Sequence, residues 1–318
     1  MQPWSWALVM SACALTGTVV AMPFFRQVGR RWRICDLPGG SPLKIHASAI
    51  PTTGGMGILA ASTIWGLVGW WTNIGTTDPR MPWIYGAGAI CFGLGFWDDI
   101  RWKGRANDKP IVKFLAQVLV SLAAGAGLLL AGVRFCFVPW PSVAFVAGAF
   151  YVFGGMNALN MQDGIDGLAA SLSALSLVGF LALGLWEGNV AAAVLAGCAL
   201  GAVLGFLLFN FPPARVFMGD SGSHYLGFLV ATAALMFTSE LWNVSRLVGA
   251  VLIIGAPVFD GAWAVGRRAL GRKRLFEGDR GHWYDWLMAR GWSVRATIGI
   301  CSLVQVGLVG LGIALVAV

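Results

Sequence analysis

Asn157-Ala158-Leu159-Asn160-Met161-Gln162-Asp163-Gly164-Ile165-Asp166-Gly167 is the stretch on which the reading of this chain turns. An apolar run, Val143 to Phe153, leads into it, and a second, Leu168 to Leu185, leads out. Two amides and two carboxylates therefore stand at the mouths of segments long enough to cross a bilayer. Charge at bilayer depth costs about 2.5–3.5 kcal/mol or more, so such residues point to function. Spacing of three puts Asn157, Asn160 and Asp163 on one helical stripe. Gly164 and Gly167 let the backbone turn or a ligand come close. Oxygen ligands on such a stripe suit a hard divalent cation, Mg2+ above all, with phosphate oxygens completing the shell. A helix cap competes with that reading, because Asn, Asp and Gly are ordinary terminus residues. The stretch alone does not choose between them.

Composition fixes the class. The chain is 58% hydrophobic and 11% charged, with a mean hydropathy of +0.74. A soluble domain of 318 residues could not hide that much apolar surface. The expectation is a single all-α polytopic membrane domain over 1–318. Six cysteines lie scattered with no CxxC pair, which argues against zinc and against a disulfide framework. The net charge of +8 does not point to nucleic acid, since the basic residues gather in short loops, as topology and anionic lipid require.

Taking roughly 20 apolar residues per crossing, about ten transmembrane helices are expected. They fall near 5–25, 54–74, 82–97, 111–132, 138–156, 167–186, 189–210, 222–239, 246–265 and 296–317. Alternating the loops then sorts 19 of the 22 Lys and Arg to one side, leaving Arg80, Arg134 and Arg246 on the other. By the positive-inside rule the first side is cytoplasmic and both termini lie outside. No Lys or Arg precedes the first apolar run, so that run reads as an uncleaved helix, not a signal peptide. Most carboxylates fall on the same cytoplasmic side, which predicts a cleft facing the cytosol. Asp260 falls within the ninth span, and a short amphipathic helix is expected around Trp283 to Leu287.

Four further polar stretches join the first. Asp36 to Gly55 carries Lys44 and His46 among glycines and hydroxyls, a phosphate-binding composition ahead of a helix start. A basic loop that fixes topology is the plainer reading of it. Asp98 and Asp99 end the third span, followed by Lys113 and Gln117. Adjacent carboxylates repel, and a helix C-terminus disfavours anions, so the pair calls for a cation or a base role. Gly219-Asp220-Ser221-Gly222-Ser223 opens the eighth span and suits a cation with phosphate, or a simple cap. Arg280 and His282, in Gly278 to Leu287, can bind phosphate or sugar oxygens. Trp283 and Trp286 beside them read more simply as interfacial aromatics. No hydrolase triad, nucleophile elbow, Walker loop or zinc motif is present.

In this order the five stretches resemble the polyprenyl-phosphate N-acetylhexosamine-1-phosphate transferase family, over nearly all of 36–290. The likeness is most specific at Asn157–Gly167 and Phe217–Ser223. It implies an enzyme with a cytosolic cleft, Mg2+ (or Mn2+), a UDP-sugar donor and undecaprenyl phosphate as acceptor, set in membrane lipid. It further implies Asn160 and Asp220 as metal ligands, Asp98 as the candidate base, and Asp99, Asp163 and Asp166 in catalytic surroundings. Lys44, His46, Lys113, Asn157, Arg280 and His282 would contact substrate. The expected product is undecaprenyl-diphosphate-HexNAc with release of UMP, the first membrane step of a cell-envelope polysaccharide. The expected place is the inner membrane, and a homodimer is compatible. Two departures stand out. His282-Trp283-Tyr284-Asp285 replaces the family's histidine-rich run, which argues against the peptidoglycan branch. His224 sits where an apolar residue is usual. A transporter or ion pathway is the competing use of intramembrane carboxylates. It fits less well, because the acids lie on one side and no internal repeat is visible.

Overall fold

The computed structural model describes residues 3–38, 48–73, 76–101, 110–135, 137–238, 242–271 and 280–317. The elements run α1 (Pro3–Arg31), β1 (Cys35–Asp36), β2 (Ile50–Pro51), α2 (Gly54–Trp71), α3 (Met81–Arg101), α4 (Pro110–Leu130) and α5 (Pro141–Gln162). Then come α6 (Leu168–Trp186), α7 (Val190–Asn210), α8 (Gly219–Phe237), α9 (Val244–Ile254), α10 (Ala256–Leu270), α11 (Trp283–Ala289) and α12 (Val294–Val316). The expected all-α fold is what forms, and the helices fall on the ten expected segments. The only described strands are the two-residue pair β1 and β2, antiparallel with Cys35 opposite Pro51.

Among the described residues, six helices are long and apolar enough to cross a membrane: α1, α4, α5, α6, α7 and α12. A seventh crossing results if α9 and α10 count as one. Those two do not form the straight ninth span that was expected. They meet at Gly255 at 87°, a position with φ of 50°. α2, α3 and α8 fall short of the same test for a physical reason. They are glycine-rich or carry polar ends, and α8 is in addition held by protein on all sides. α8 is the clearest case. Gly219 and every residue from Ser221 to Phe237 are buried. It lies between α3 and α5, with α2 and α9 also against it. A helix enclosed by other helices needs no apolar stripe turned to solvent or lipid.

The lipid-facing character sits elsewhere. Ile111, Leu115 and Leu119 on α4 are exposed, as are Leu303, Val304 and Leu311 on α12. At the helix ends away from the polar motifs, Trp186 and Trp242 are exposed in the manner of interfacial aromatics. Arg246 there pairs with Glu187 at 2.8 Å, tying α9 to α6.

Candidate active site

The polar motifs meet where the ends of α3 and α5 reach the start of α8. α3 brings its C-terminal Asp98 and Asp99 against the N-terminus of α8 because Gly95 lets the two backbones touch. A Cβ at Gly95 would collide with the carbonyl of Asp220. The α8 start is itself a left-handed turn. Gly219 has φ of 75°, and a side chain there would press on Asp99 Oδ2 at 2.6 Å and on the Thr52 carbonyl at 2.7 Å. Only glycine satisfies both demands.

Asp99 answers the difficulty of an anion at a helix C-terminus. Its Oδ1 accepts from the backbone N–H of Asp220 and its Oδ2 from that of Ser221, each at 3.0 Å. Those are orphan donors at the positive end of the α8 dipole. Asp99 is therefore an N-cap supplied by another helix, with both oxygens engaged.

Asp98 turns the other way. It is buried, pairs with Lys113 Nζ at 2.9 Å, and lies within hydrogen-bonding reach of the Asp220 carboxyl group. Lys113 comes from the first turn of α4. One ammonium thus stands beside two carboxyl groups. Asn160 completes it from the last turn of α5. Its Nδ2 donates to Asp220 Oδ1 at 3.1 Å and to Ser223 Oγ at 3.0 Å. Asn160 and Asp220, 60 residues apart in sequence, are close enough to share one ion.

Among the described residues, no three His, Cys, Asp or Glu side chains gather tightly enough to form a complete ion cage. A hard cation such as Mg2+ takes few protein oxygens and fills its shell with phosphate and water. The Asp220 carboxylate, the Asn160 amide and the neighbouring Asp98 carboxyl group offer oxygen donors of the kind such an ion takes.

Asp163 and Asp166 sit one layer out. Asp163 is the half-buried C-cap of α5, its N–H donating to the Asn160 carbonyl at 3.2 Å. Asp166 Oδ2 accepts from Ala214 N at 2.9 Å, and Asn210 Oδ1 accepts from Gly167 N at 3.0 Å. These bonds stitch the 163–167 turn to the segment that leads into α8. Asn157 is half-buried, with its Nδ2 bound to the Phe153 carbonyl at 2.9 Å. The Asp36–Gly55 stretch also arrives here, since Phe217 N donates to Pro51 O at 2.8 Å and Gly54 N to Phe217 O at 2.9 Å. Lys44 and His46 lie outside the described residues.

The last motif joins through α10. His282 Nδ1 lies 2.6 Å from Asp260 Oδ2, and Arg280 donates to Asp285 Oδ1 at 3.0 Å. The expected short helix is α11. Tyr284, its second residue, donates to the Met161 carbonyl at 3.2 Å. Burial, with Asp285 and Asp260 adding to it, pushes the Tyr284 hydroxyl well above its ordinary pKa, so it stays a donor. Sequence reasoning gave Asp260 no role and passed over Gln162 and Ser223. A carboxylate in an apolar run was the available signal for the first. Gln162 and Ser223 lay inside the quoted motifs without being singled out.

The sequence model of glycosyl transferase family 4 matches residues 81–238, the span that holds this cluster. A Bacillus subtilis (strain 168) relative, the probable undecaprenyl-phosphate N-acetylglucosaminyl 1-phosphate transferase, is 30% identical over 92% of this chain and 80% of its own length. The chain belongs to glycosyl transferase family 4. The phospho-N-acetylmuramoyl-pentapeptide-transferase of Synechococcus sp. (strain RCC307) is 29% identical over 98% of this family-4 chain and 94% of its own length. That of Limosilactobacillus fermentum is 34% identical over 64% of the chain and 65% of its own. Both branches of the family thus stand at similar distance, and identity alone does not select one. With these relatives and its apolar helices, the family-4 chain is a multi-pass membrane protein.

Proposed function

We propose that this protein transfers a sugar-1-phosphate, N-acetylhexosamine-1-phosphate in our reading, from a UDP-sugar to undecaprenyl phosphate. The products are undecaprenyl-diphosphate-sugar and UMP. The observation that carries the reading is the meeting of Asn160, Asp220, Asp98 and Lys113 at one point from four helices. The relatives' names support the reaction class, and the clustering of these oxygens with one ammonium supports a diphosphate and its cation as the ligands.

In this reading one oxygen of the lipid phosphate attacks the phosphorus next to the sugar. The bond from that phosphorus to the bridging oxygen breaks, and its electron pair leaves with UMP. Little covalent work falls to the protein, so positioning and electrostatics dominate. Asn160 and Asp220 would hold Mg2+, which when bound draws charge from the donor diphosphate. Lys113 balances Asp98 and offers a cation to phosphate oxygens. Asp98, beside the attacking group, orients the acceptor phosphate, whose second pKa of about 6 leaves it already charged at neutral pH. Asp99 fixes the α8 N-terminus against α3 and touches no reacting atom. Asp163 and Asp166 hold the turn after α5.

The topology belongs to the same proposal: ten crossings, with α2, α3 and the enclosed α8 among them and the cleft open to the cytosol. Its support is the segregation of 19 of 22 basic residues onto one side. Purified protein incubated with labelled UDP-sugar, undecaprenyl phosphate and Mg2+ should release UMP. A donor screen over UDP-GlcNAc, UDP-GalNAc, their 6-deoxy analogues and UDP-MurNAc-pentapeptide should show a HexNAc donor preferred. No UMP from any donor would return the carboxylates to an ion-pathway role.

A further inference from the structure

We infer that Asp260 is a positioning residue for donor binding: its buried carboxylate grips His282 by Nδ1 and so aims Nε2 at the donor diphosphate. The inference rests on the transferase reading and deepens it.

Asp260 is 6% exposed, on α10 one turn after the 87° break. The break lays α10 against α5, where a Cβ added at Gly261 would lie 3.7 Å from the Ala158 Cα. Three donors converge on its carboxylate from two places in the chain. His282 Nδ1 is at 2.6 Å, Gln162 Nε2 at 2.7 Å and Trp283 N at 3.0 Å. A buried carboxylate is costly unless every lone pair is answered, and an apolar residue of like volume would pack as well. A site that needed packing alone would not call for this arrangement.

What the carboxylate achieves is control of one ring. With Nδ1 bound to Asp260, the tautomer is fixed and Nε2 is the nitrogen left to face a ligand. The face of the ring is fixed as well. His282 stacks on Tyr284 with centroids 5.4 Å apart and planes at 1°. Tyr284 is anchored in turn to the Met161 carbonyl at 3.2 Å, and its phenol covers Gly164, where a Cβ would collide with it. Asp285 accepts from His282 N at 3.3 Å and from Arg280 at 3.0 Å, which holds the loop itself. Nitrogen, through Asp260 and Gln162, and ring face, through Tyr284, are thus both referred to residues 161–164, directly after Asn160. A diphosphate held at Asn160 and Asp220 would meet an imidazole whose direction is set before it arrives. Pre-setting of this kind lowers the cost of ordering on binding.

The test is a mutant cycle on the full chain, with UMP release as the activity. Asp260→Asn and His282→Asn should each lower kcat/KM for the UDP-sugar by about 10- to 100-fold, the usual cost of losing a group that orients a liganding histidine. The loss should fall on donor KM, with acceptor KM unmoved. The double variant should be no worse than the worse single one. Asp260→Glu should recover part of the loss with His282 present and none of it in the His282→Asn background. Losses that multiply in the double variant would overturn the inference, because Asp260 would then act independently of His282. Should Asp260→Asn fail to accumulate as folded protein, Asp260→Glu closes the same cycle.

A second readout does not depend on turnover. The chain has three histidines, so 15N-histidine spectra can be assigned by His282→Asn. The His282 proton should sit on Nδ1 in the wild type and shift in Asp260→Asn. An unchanged signal would overturn the contact. Wild-type protein that shows this signal and yet releases no UMP from any donor would defeat the transferase reading instead.

Discussion

Asp99, on the last turn of α3, accepts a hydrogen bond at 3.0 Å from the backbone N–H of Asp220, on the first turn of α8. The side chain whose partner is that backbone stands 121 residues earlier in the chain. The negative end of one helix is thereby joined to the positive end of another through a carboxylate. The Asp220 side chain, freed from capping its own helix, faces Asn160 and Asp98 instead. A cap borrowed from α3 lets α8 spend its own first carboxylate on the site.

Asp99→Ala should therefore act first on structure. Loss of an N-cap costs about 0.5–2 kcal/mol, and two donors here lose their acceptor. The melting temperature of detergent-solubilised protein should fall, and transfer should fall with it. Asp99→Asn, which can still accept one bond, should lie between. A variant with wild-type melting and no activity would give Asp99 a direct part in the reaction, contrary to this reading.

Asp98→Asn and Asp220→Asn should behave otherwise. Each removes one of two facing carboxylates, which relieves repulsion, so neither should unfold the protein. Both should abolish UMP release. Lys113→Met should be the damaging change to stability. It leaves Asp98 buried without its cation, a loss of about 3–5 kcal/mol when a buried pair is broken on one side. Near-wild-type turnover in either Asn variant defeats the role assigned to that carboxylate.

Gly95→Ala tests the close approach that makes the site. Its Cβ would strike the Asp220 carbonyl, so α3 and α8 must separate. Both ends of the Asp99 bridge then shift, and Asp98 with them. The expected outcome is a large loss of both melting temperature and transfer from a single added methyl group. Gly93→Ala is the control, because nothing lies within 4 Å of a Cβ there. Equal behaviour of the two variants would mean that α3 does not press on α8.

How much of this was legible in the sequence depends on the length scale. The apolar runs announced the helices, and the three-residue spacing of Asn157, Asn160 and Asp163 placed the polar stripe at an end. Adjacent Asp98 and Asp99 announced function but not a division of labour. One pairs with Lys113 and the other caps α8, and only the direction of each side chain decides which. The 87° turn at Gly255 was passed over: Gly255 and Pro257 mark a break, but the apolar runs on either side read as one span. Asp260 was visible as an anomaly, yet its partners Gln162 and His282 stand 98 and 22 residues away. α8 was counted as a span from apolar length, while what sets it apart is that protein surrounds it.

Metal dependence offers the most direct check on the cluster. Chelation with EDTA should stop UMP release, and Mg2+ should restore it, with Mn2+ as the next best ion. The concentration of Mg2+ needed for half-maximal rate is the informative quantity. Asn160→Ala removes a neutral oxygen ligand and also two hydrogen bonds, to Asp220 and Ser223. It should raise that concentration by at least an order of magnitude, the range of about 10- to 100-fold that follows loss of a group supporting a metal site. Ser223→Ala removes one of the same two bonds but leaves the amide and carboxylate in place, so its effect should be smaller and should appear chiefly in melting temperature. Asp166→Asn, whose carboxylate is bound to Ala214 N, should leave the Mg2+ requirement unchanged. If Asp166→Asn moved the requirement as far as Asn160→Ala does, the ion would sit at the turn after α5 and not between α5 and α8.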